Sequence, residues 1–182
     1  MSALDRFDRV TGRFTVVVAG VADWAAPAPV EGWTAADVVG HLVDWLPGLL
    51  AADDVVLAVE RTGDPAQDWD RHTTAVRALL ASPRAAEPFT HPHLGTLPLA
   101  GAVDRFWTTD VFLHTWDLAA ASGQDAGLDD AECAQLLAGM EPLDELLRAS
   151  GQYGPRVPVP DDAPAVDRLV GFVGRDPSWH PG

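Results

Sequence analysis

The apolar residues of the first segment recur at steps of three and four positions, which is the period of an amphipathic helix. The series comprises Leu4, Phe7, Val10, Phe14, Val17 or Val18, and Val21. The β-branched run at residues 15–18 alone would suit a strand, but the longer period favours a helix. Pro27 and Pro29 then predict an extended linker.

A second helix is predicted to begin at Thr34, whose hydroxyl can cap the first turn together with Asp37 at the third helical position. The apolar face of this helix carries Val38, His41, Leu42, Trp45 and Leu49. Pro47 is expected to kink or end the helix, because proline has no backbone N–H.

Further helical patterns occupy residues 67–81, 101–121, about 129–147 and 165–173. We expect His72 on the exposed side of the first of these. Residues 83–100 contain four prolines and predict a loop or a short hairpin, and residues 155–164 predict an extended tail. The sequence therefore predicts an all-α fold: an up-down four-helix bundle in one domain over residues 1–182, with short extra helices and an extended C-terminal tail.

The composition is that of a soluble globular protein, with 182 residues of which 47% are hydrophobic and 21% charged. The formal net charge of −15 at pH 7 disfavours binding to nucleic acid or to anionic membrane surfaces. The apolar stretch at residues 14–22 is too short to span a bilayer, and no basic region precedes it as in a signal peptide. With Cys133 as the single cysteine, we expect a protein of the reducing cytoplasm. Neither the charge nor the helical faces separate a monomer from a homodimer.

The segment from Asp110 to Asp117 places acids and an imidazole on an otherwise apolar helical stripe. Asp110 and His114 lie four positions apart, so one helical turn puts both side chains on the same face. A bundle turns this stripe inward, where an unpaired carboxylate would be strongly unfavourable. A divalent cation would neutralise these groups together.

A third ligand must come from another helix, and His41 is the best candidate because it lies on an apolar helical face. Ligands from facing helices are the usual way in which a bundle builds a metal site. His41, Asp110 and His114 would leave positions open for water or substrate, as in catalytic metal sites. Two imidazoles and one carboxylate suit Zn²⁺, Fe²⁺ or Ni²⁺.

Other interpretations of these residues stay open. His41 could be a hydrogen-bonded core residue, and Asp110 with His114 could be a surface pair worth about 0.3 kcal/mol. Asp117 is expected to accept a hydrogen bond from an imidazole and so to orient it, or else to be a solvated acid.

Several further residues are weaker candidates. Trp45 and Trp107 are expected to line a pocket beside the ion. His91 and His93 flank a proline and could bind a metal, although loop histidines are usually solvated. Cys133 has Glu132 beside it and no cationic neighbour that would activate a thiolate, so a nucleophilic role is not expected.

Two motifs and the C-terminal segment resemble a known family. The stretch Gly32–Val43 is a Gly-Trp-Thr entry into a helix that carries His41, and Asp110–Ala119 is an acid, three apolar residues, a His and then Trp-Asp-Leu-Ala. Both resemble the DinB-like superfamily, in the group named for the metal-binding domain of mycothiol-dependent maleylpyruvate isomerase. The segment at residues 157–177 resembles the tail of small actinobacterial single-domain members.

The resemblance implies a four-helix bundle that holds a divalent metal through His41, Asp110 and His114. The isomerase pattern has Glu where this chain has Asp110, and the isomerase has a larger C-terminal domain. We therefore expect a metal-dependent thiol transferase or isomerase with a small-molecule substrate, zinc (or nickel or iron) as the metal, and mycothiol as cosubstrate. The alternatives are a non-catalytic metal- or small-ligand-binding bundle, and a metal-activated hydrolase with Asp117 as its general base.

Overall fold

The fold is mostly helical in a computed structural model that describes residues 1–92, 95–149 and 151–181. The α-helices are α1 (Ala3–Ala19), α2 (Ala35–Leu50), α3 (Pro65–Leu80), α4 (Leu99–Ala102), α5 (Thr109–Ala121), α6 (Asp130–Met140), α7 (Asp144–Ala149) and α8 (Ala165–Phe172). A π-helical segment, Val103–Thr108, joins α4 to α5 without a break. Within the described ranges, no helix is long and apolar enough to cross a membrane.

A short hairpin precedes α4, formed by β1 (Pro88–His91) and β2 (Gly95–Pro98). The two strands pair antiparallel, with Pro88 opposite Pro98 and Phe89 opposite Leu97. Phe89 points into the core and is fully buried. The short hairpin that the sequence offered as one of two possibilities for residues 83–100 is therefore confirmed.

Local hydrogen bonds explain where α2 begins. The Thr34 hydroxyl accepts from the Asp37 N–H at 3.3 Å, and the Asp37 carboxylate accepts from the Thr34 N–H at 2.8 Å. These reciprocal bonds satisfy donors that the helix itself leaves free, and they confirm the predicted cap. The helix runs on past Pro47 to Leu50, so proline does not end it there.

Four helices surround the main core. α1 packs against both α3 and α5, and α2 packs against the same two helices. Large aromatic side chains fill the space between them: the rings of Trp69 and Trp107 stack at 5.9 Å, and Phe14 lies 4.3 Å from Trp69. The indole N–H of Trp107 donates to the carbonyl of Leu42 at 2.8 Å, which ties the π-helical segment to α2. This packing fixes the position of α5 relative to α2.

Two expectations about the helices are wrong. His72 is fully buried in α3, where its ring lies 5.4 Å from that of Trp107. It follows Trp69 by three positions and precedes Val76 by four, so it shares their inward face. The helix expected over residues 129–147 is interrupted, because Pro142 falls in a 3-10 turn between α6 and α7.

The C-terminal segment folds back over the helices as an extended chain and α8. α8 packs against α6, and the Val157 N–H donates to the Gly171 carbonyl at 2.9 Å. The backbone at Gly174 has a φ of +92° and crosses Gly154 so closely that a Cβ at position 174 would lie 2.9 Å from Gly154 atoms. Only glycine fits this crossing without displacement of the chain.

Candidate metal centre

His41 on α2 and the Asp110–His114 pair on α5 meet across the interface of these two helices. One potential ligand atom from each residue lies within 4.8 Å of the other two. Nε2 of His41 is 2.9 Å from Oδ2 of Asp110, and Nε2 of His114 is 3.5 Å from Oδ1 of the same carboxylate. The structure thus brings together all three residues of the predicted ligand set.

The cluster is more open on the side of α2 than on that of α5. The side chain of His114 is 7% exposed, that of Asp110 is 23% exposed, and that of His41 is 33% exposed. A small molecule would therefore reach the cluster past His41.

Two tryptophans flank the cluster. The ring of Trp33 stacks on that of His114 at 5.7 Å and lies 5.1 Å from that of His41. The indole N–H of Trp45 donates to Oδ2 of Asp110 at 3.0 Å, so Trp45 lies beside the cluster, and its pocket role stays a prediction. Trp33 belongs to the Gly-Trp-Thr motif that opens α2, but no role at the cluster was predicted for it; its position directly before the Thr34 cap is one where an apolar residue often packs back onto the helix.

Trp107 lies in the core, in contact with Phe7, Trp69 and His72. Its side chain is fully buried, and its N–H is used by the Leu42 carbonyl. The pocket role of Trp107 stays a prediction.

Asp117 forms a hydrogen bond with Nδ1 of His114. Its Oδ2 lies 2.8 Å from Nδ1 of His114, and because an ionised carboxylate only accepts, Nδ1 donates the proton. The guanidinium of Arg175 donates to the same carboxylate, from Nε to Oδ1 at 3.2 Å and from Nη2 to Oδ2 at 3.1 Å. Of the two roles predicted for Asp117, this contact fits the orienting one. Arg175, which lies 58 positions further along the chain, was not predicted.

Electrostatic interactions among Asp110, His114 and Asp117 shift the pKa values of these residues more than burial does. Burial alone would raise the pKa of Asp110, but the charge of His114 and the hydrogen bond from His41 hold that pKa below its usual range. Burial alone would lower the pKa of His114, yet the carboxylates of Asp110 and Asp117 raise it. The pKa of Asp117 is lowered against the effect of burial by His114 and then by Arg175. Both carboxylates are therefore ionised at neutral pH.

The donor set fits a divalent metal ion. In the neutral form of His114, Nδ1 carries the proton that Asp117 accepts, so Nε2 keeps the lone pair that a metal ion would take, and it faces Asp110. Two imidazole nitrogens and an ionised carboxylate are the donors that zinc, iron and nickel accept. Asp110 reaches the cluster even though its side chain is one methylene shorter than that of the Glu in the isomerase pattern.

The remaining candidates lie elsewhere. His91 is half-buried in β1, and His93 falls outside the described residues. Cys133 is fully buried, and burial followed by the charges of Asp130 and Glu132 raises the pKa of its thiol to about 12. A thiol with that pKa is not a nucleophile at neutral pH.

The helical architecture and the His–Asp–His cluster agree with the DinB-like class of proteins. The sequence model of the mycothiol maleylpyruvate isomerase N-terminal domain matches residues 7–119, and the chain belongs to that family. Two uncharacterized proteins of Mycobacterium tuberculosis, from strains H37Rv and CDC 1551, are each 30% identical over 181 residues, which is 96% of this chain and 98% of the relative. No solved structure matches the chain.

Proposed function

We propose that this protein is a metal-dependent enzyme of the thiol transferase or isomerase type that uses a low-molecular-weight thiol such as mycothiol. The observation that carries the proposal is the meeting of three ligand atoms within 4.8 Å at the interface of α2 and α5. Membership of the mycothiol maleylpyruvate isomerase N-terminal domain family supports the choice of thiol. We further propose that α1, α2, α3 and α5 form the up-down four-helix bundle of this fold, since each of them packs against two of the others.

His41, Asp110 and His114 would hold the divalent ion, with zinc as the first choice and nickel or iron as alternatives. Such an ion, when bound, supplies a Lewis acid that favours the thiolate form of a thiol at neutral pH.

The protein's own residues prepare this site. Asp117 keeps the proton of His114 on Nδ1, which presents Nε2 as a ligand. Trp45 donates to Oδ2 of Asp110 and so orients the carboxylate. Trp33 stacks on the ring of His114 and lies tilted beside that of His41, which limits the approach of water from that side. A substrate would enter past the one-third-exposed side chain of His41.

A hydrolase that uses Asp117 as general base fits the site less well. Oδ1 of Asp117 accepts from Arg175, and Oδ2 accepts from both His114 and Arg175. The residue is only 1% exposed, so a water molecule has little access to it. These contacts favour Asp117 as an orienting group rather than as a base.

A cobalt-binding experiment tests the proposal. Wild-type protein, His114→Ala and the control His180→Ala, which changes an exposed histidine, are loaded with Co²⁺ and dialysed. We expect one bound cobalt in wild type and in the control, and loss of that cobalt in His114→Ala, measured by elemental analysis. Equal cobalt content in all three proteins would overturn the metal site.

Added thiol then separates an enzyme of this type from a non-catalytic metal-binding bundle. When mycothiol is added to the cobalt-loaded wild type, we expect a sulfur-to-cobalt charge-transfer band and a change in the visible d–d bands. A spectrum that thiol does not change, from a protein that does hold cobalt, would reject the thiol-dependent function and favour the non-catalytic bundle.

A further inference from the structure

The carboxylate that orients His114 is itself held by a side chain from the far end of the protein. Arg175 makes two hydrogen bonds to Asp117, at 3.2 Å and 3.1 Å, in the forked arrangement that guanidinium and carboxylate groups favour. Arg175 lies beyond residues 7–119, the part of the chain that the family's sequence model matches.

Asp117 needs such a partner because of where it lies. Its side chain is 2% exposed, and an ionised carboxylate at that depth is unfavourable unless cations or hydrogen-bond donors surround it. His114 supplies one N–H, and Arg175 supplies two N–H groups and a full positive charge. The fork also fixes the plane of the carboxylate, and that plane sets the direction in which Oδ2 meets the imidazole.

The tail holds Arg175 rigidly enough for this task. The Arg175 backbone N–H donates to the Val170 carbonyl at 3.0 Å at the end of α8, and its Nη1 donates to the Val173 carbonyl at 2.9 Å. The close crossing of Gly174 over Gly154 comes directly before it. The side chain of Arg175 is 15% exposed, so little conformational freedom is left to it.

We propose that Arg175 is a positioning residue of the metal centre: it holds Asp117 in the orientation that keeps His114 as an Nδ1–H tautomer with Nε2 free to bind the ion. The inference rests on the proposed metal site and extends it to the C-terminal tail. Arg175 touches none of the three proposed ligands in the contacts that the described residues make, and it acts through Asp117.

The test compares wild type with Arg175→Gln, Arg175→Lys and the control Arg156→Gln. Arg156 is also an arginine of the tail, but its guanidinium lies over Phe172 and pairs with Asp144. Three quantities are measured: the dissociation constant for Co²⁺, the visible spectrum of bound cobalt, and the His114 tautomer in the metal-free protein, by imidazole ¹⁵N NMR at a pH where His114 is neutral. Circular dichroism checks that each variant is folded.

In Arg175→Gln we expect cobalt binding to weaken about tenfold, as is typical when a group that orients a metal ligand is lost. We also expect altered d–d bands and a mixture of His114 tautomers. Arg175→Lys keeps the charge but not the fork, so it should fall between Arg175→Gln and wild type. Arg156→Gln should match wild type in all three measurements.

Wild-type affinity, spectrum and tautomer in Arg175→Gln would overturn the proposal. Should Arg175→Gln fail to fold, wild-type behaviour of Arg175→Lys in the same three measurements would overturn it. If wild type binds no cobalt, the metal site fails, while the tautomer measurement still decides whether Arg175 positions His114.

Discussion

His72 offers a direct test of how this core tolerates a polar side chain. It is fully buried in α3, and neither ring nitrogen has a hydrogen-bond partner among the described residues. Burial lowers the pKa of its imidazole to about 4, with smaller effects from the nearby charges of Asp44, which raises it, and Arg61, which lowers it. Replacement by leucine, which has a similar volume and no polar atom, removes both the unpaired nitrogens and the titration.

The expected change in the free energy of unfolding follows from these two facts. A fall in pKa from 6.5 to about 4 means that the unfolded chain binds a proton in this pH range and the folded one does not. Wild type therefore keeps its full stability above pH 6.5 and loses about 3 kcal/mol as the pH falls from 6.5 to 4.

At pH 7, loss of two unpaired nitrogens gains about 1–3 kcal/mol, and loss of the ring contact with Trp107 costs about 1 kcal/mol. We expect His72→Leu to be more stable than wild type by about 1 kcal/mol at pH 7 and by about 3 kcal/mol at pH 5.

Urea unfolding at pH 7, 6 and 5, followed by tryptophan fluorescence and by circular dichroism, measures this difference. The exposed His180→Leu is the matched control, and its stability should follow that of wild type at every pH. Parallel pH profiles for wild type and His72→Leu would refute the lowered pKa. A variant less stable than wild type at pH 7 would mean that the nitrogens of His72 do have a partner.

Two further substitutions test the tail and the site. Gly174→Ala should lower the free energy of unfolding by at least about 1–3 kcal/mol, because φ is +92° and the new Cβ would lie 2.9 Å from Gly154. Thermal unfolding measures this loss, with Gly139→Ala, a helical position with open space, as the control. Equal melting temperatures for the two variants would contradict the prediction. Trp45→Phe removes the 3.0 Å hydrogen bond to Asp110 and should weaken cobalt binding about tenfold in calorimetric titrations; unchanged affinity would mean that this bond does not orient the carboxylate.

The parts of the site that depend on short spacing could be predicted from the sequence. The four-residue step from Asp110 to His114 places both on one helical face, and Thr34 with Asp37 defines where the helix that carries His41 begins. The choice of His41 needed one more assumption, that a histidine on an apolar helical face has a partner inside the protein.

His72 could have been placed correctly from the same kind of pattern. It completes a stripe with Trp69, Val76 and Leu80 at steps of three and four, and all four residues are buried. The prediction of an exposed His72 followed from its polar side chain, although the period of the helix decides which way a side chain faces.

The π-helical segment Val103–Thr108 has no comparable sequence signal, because its residues continue an ordinary helical pattern.

The contact of Arg175 with Asp117 could not be predicted from the sequence, because the fold of the tail sets it and no local spacing does. Local spacing joins Asp110 to His114, helix packing joins His41 to Asp110 across 69 positions, and a backbone crossing in the tail joins Arg175 to Asp117 across 58. Sequence periodicity reports only the first of these. A change in the tail would reach the cluster through Asp117 and His114, and a change at Trp45 would reach it through Asp110. Because His114 and Asp110 interact with each other, the effects of substitutions at Arg175 and at Trp45 on cobalt binding should deviate from additivity in the double variant, and calorimetric titration of both single variants and the double variant measures this.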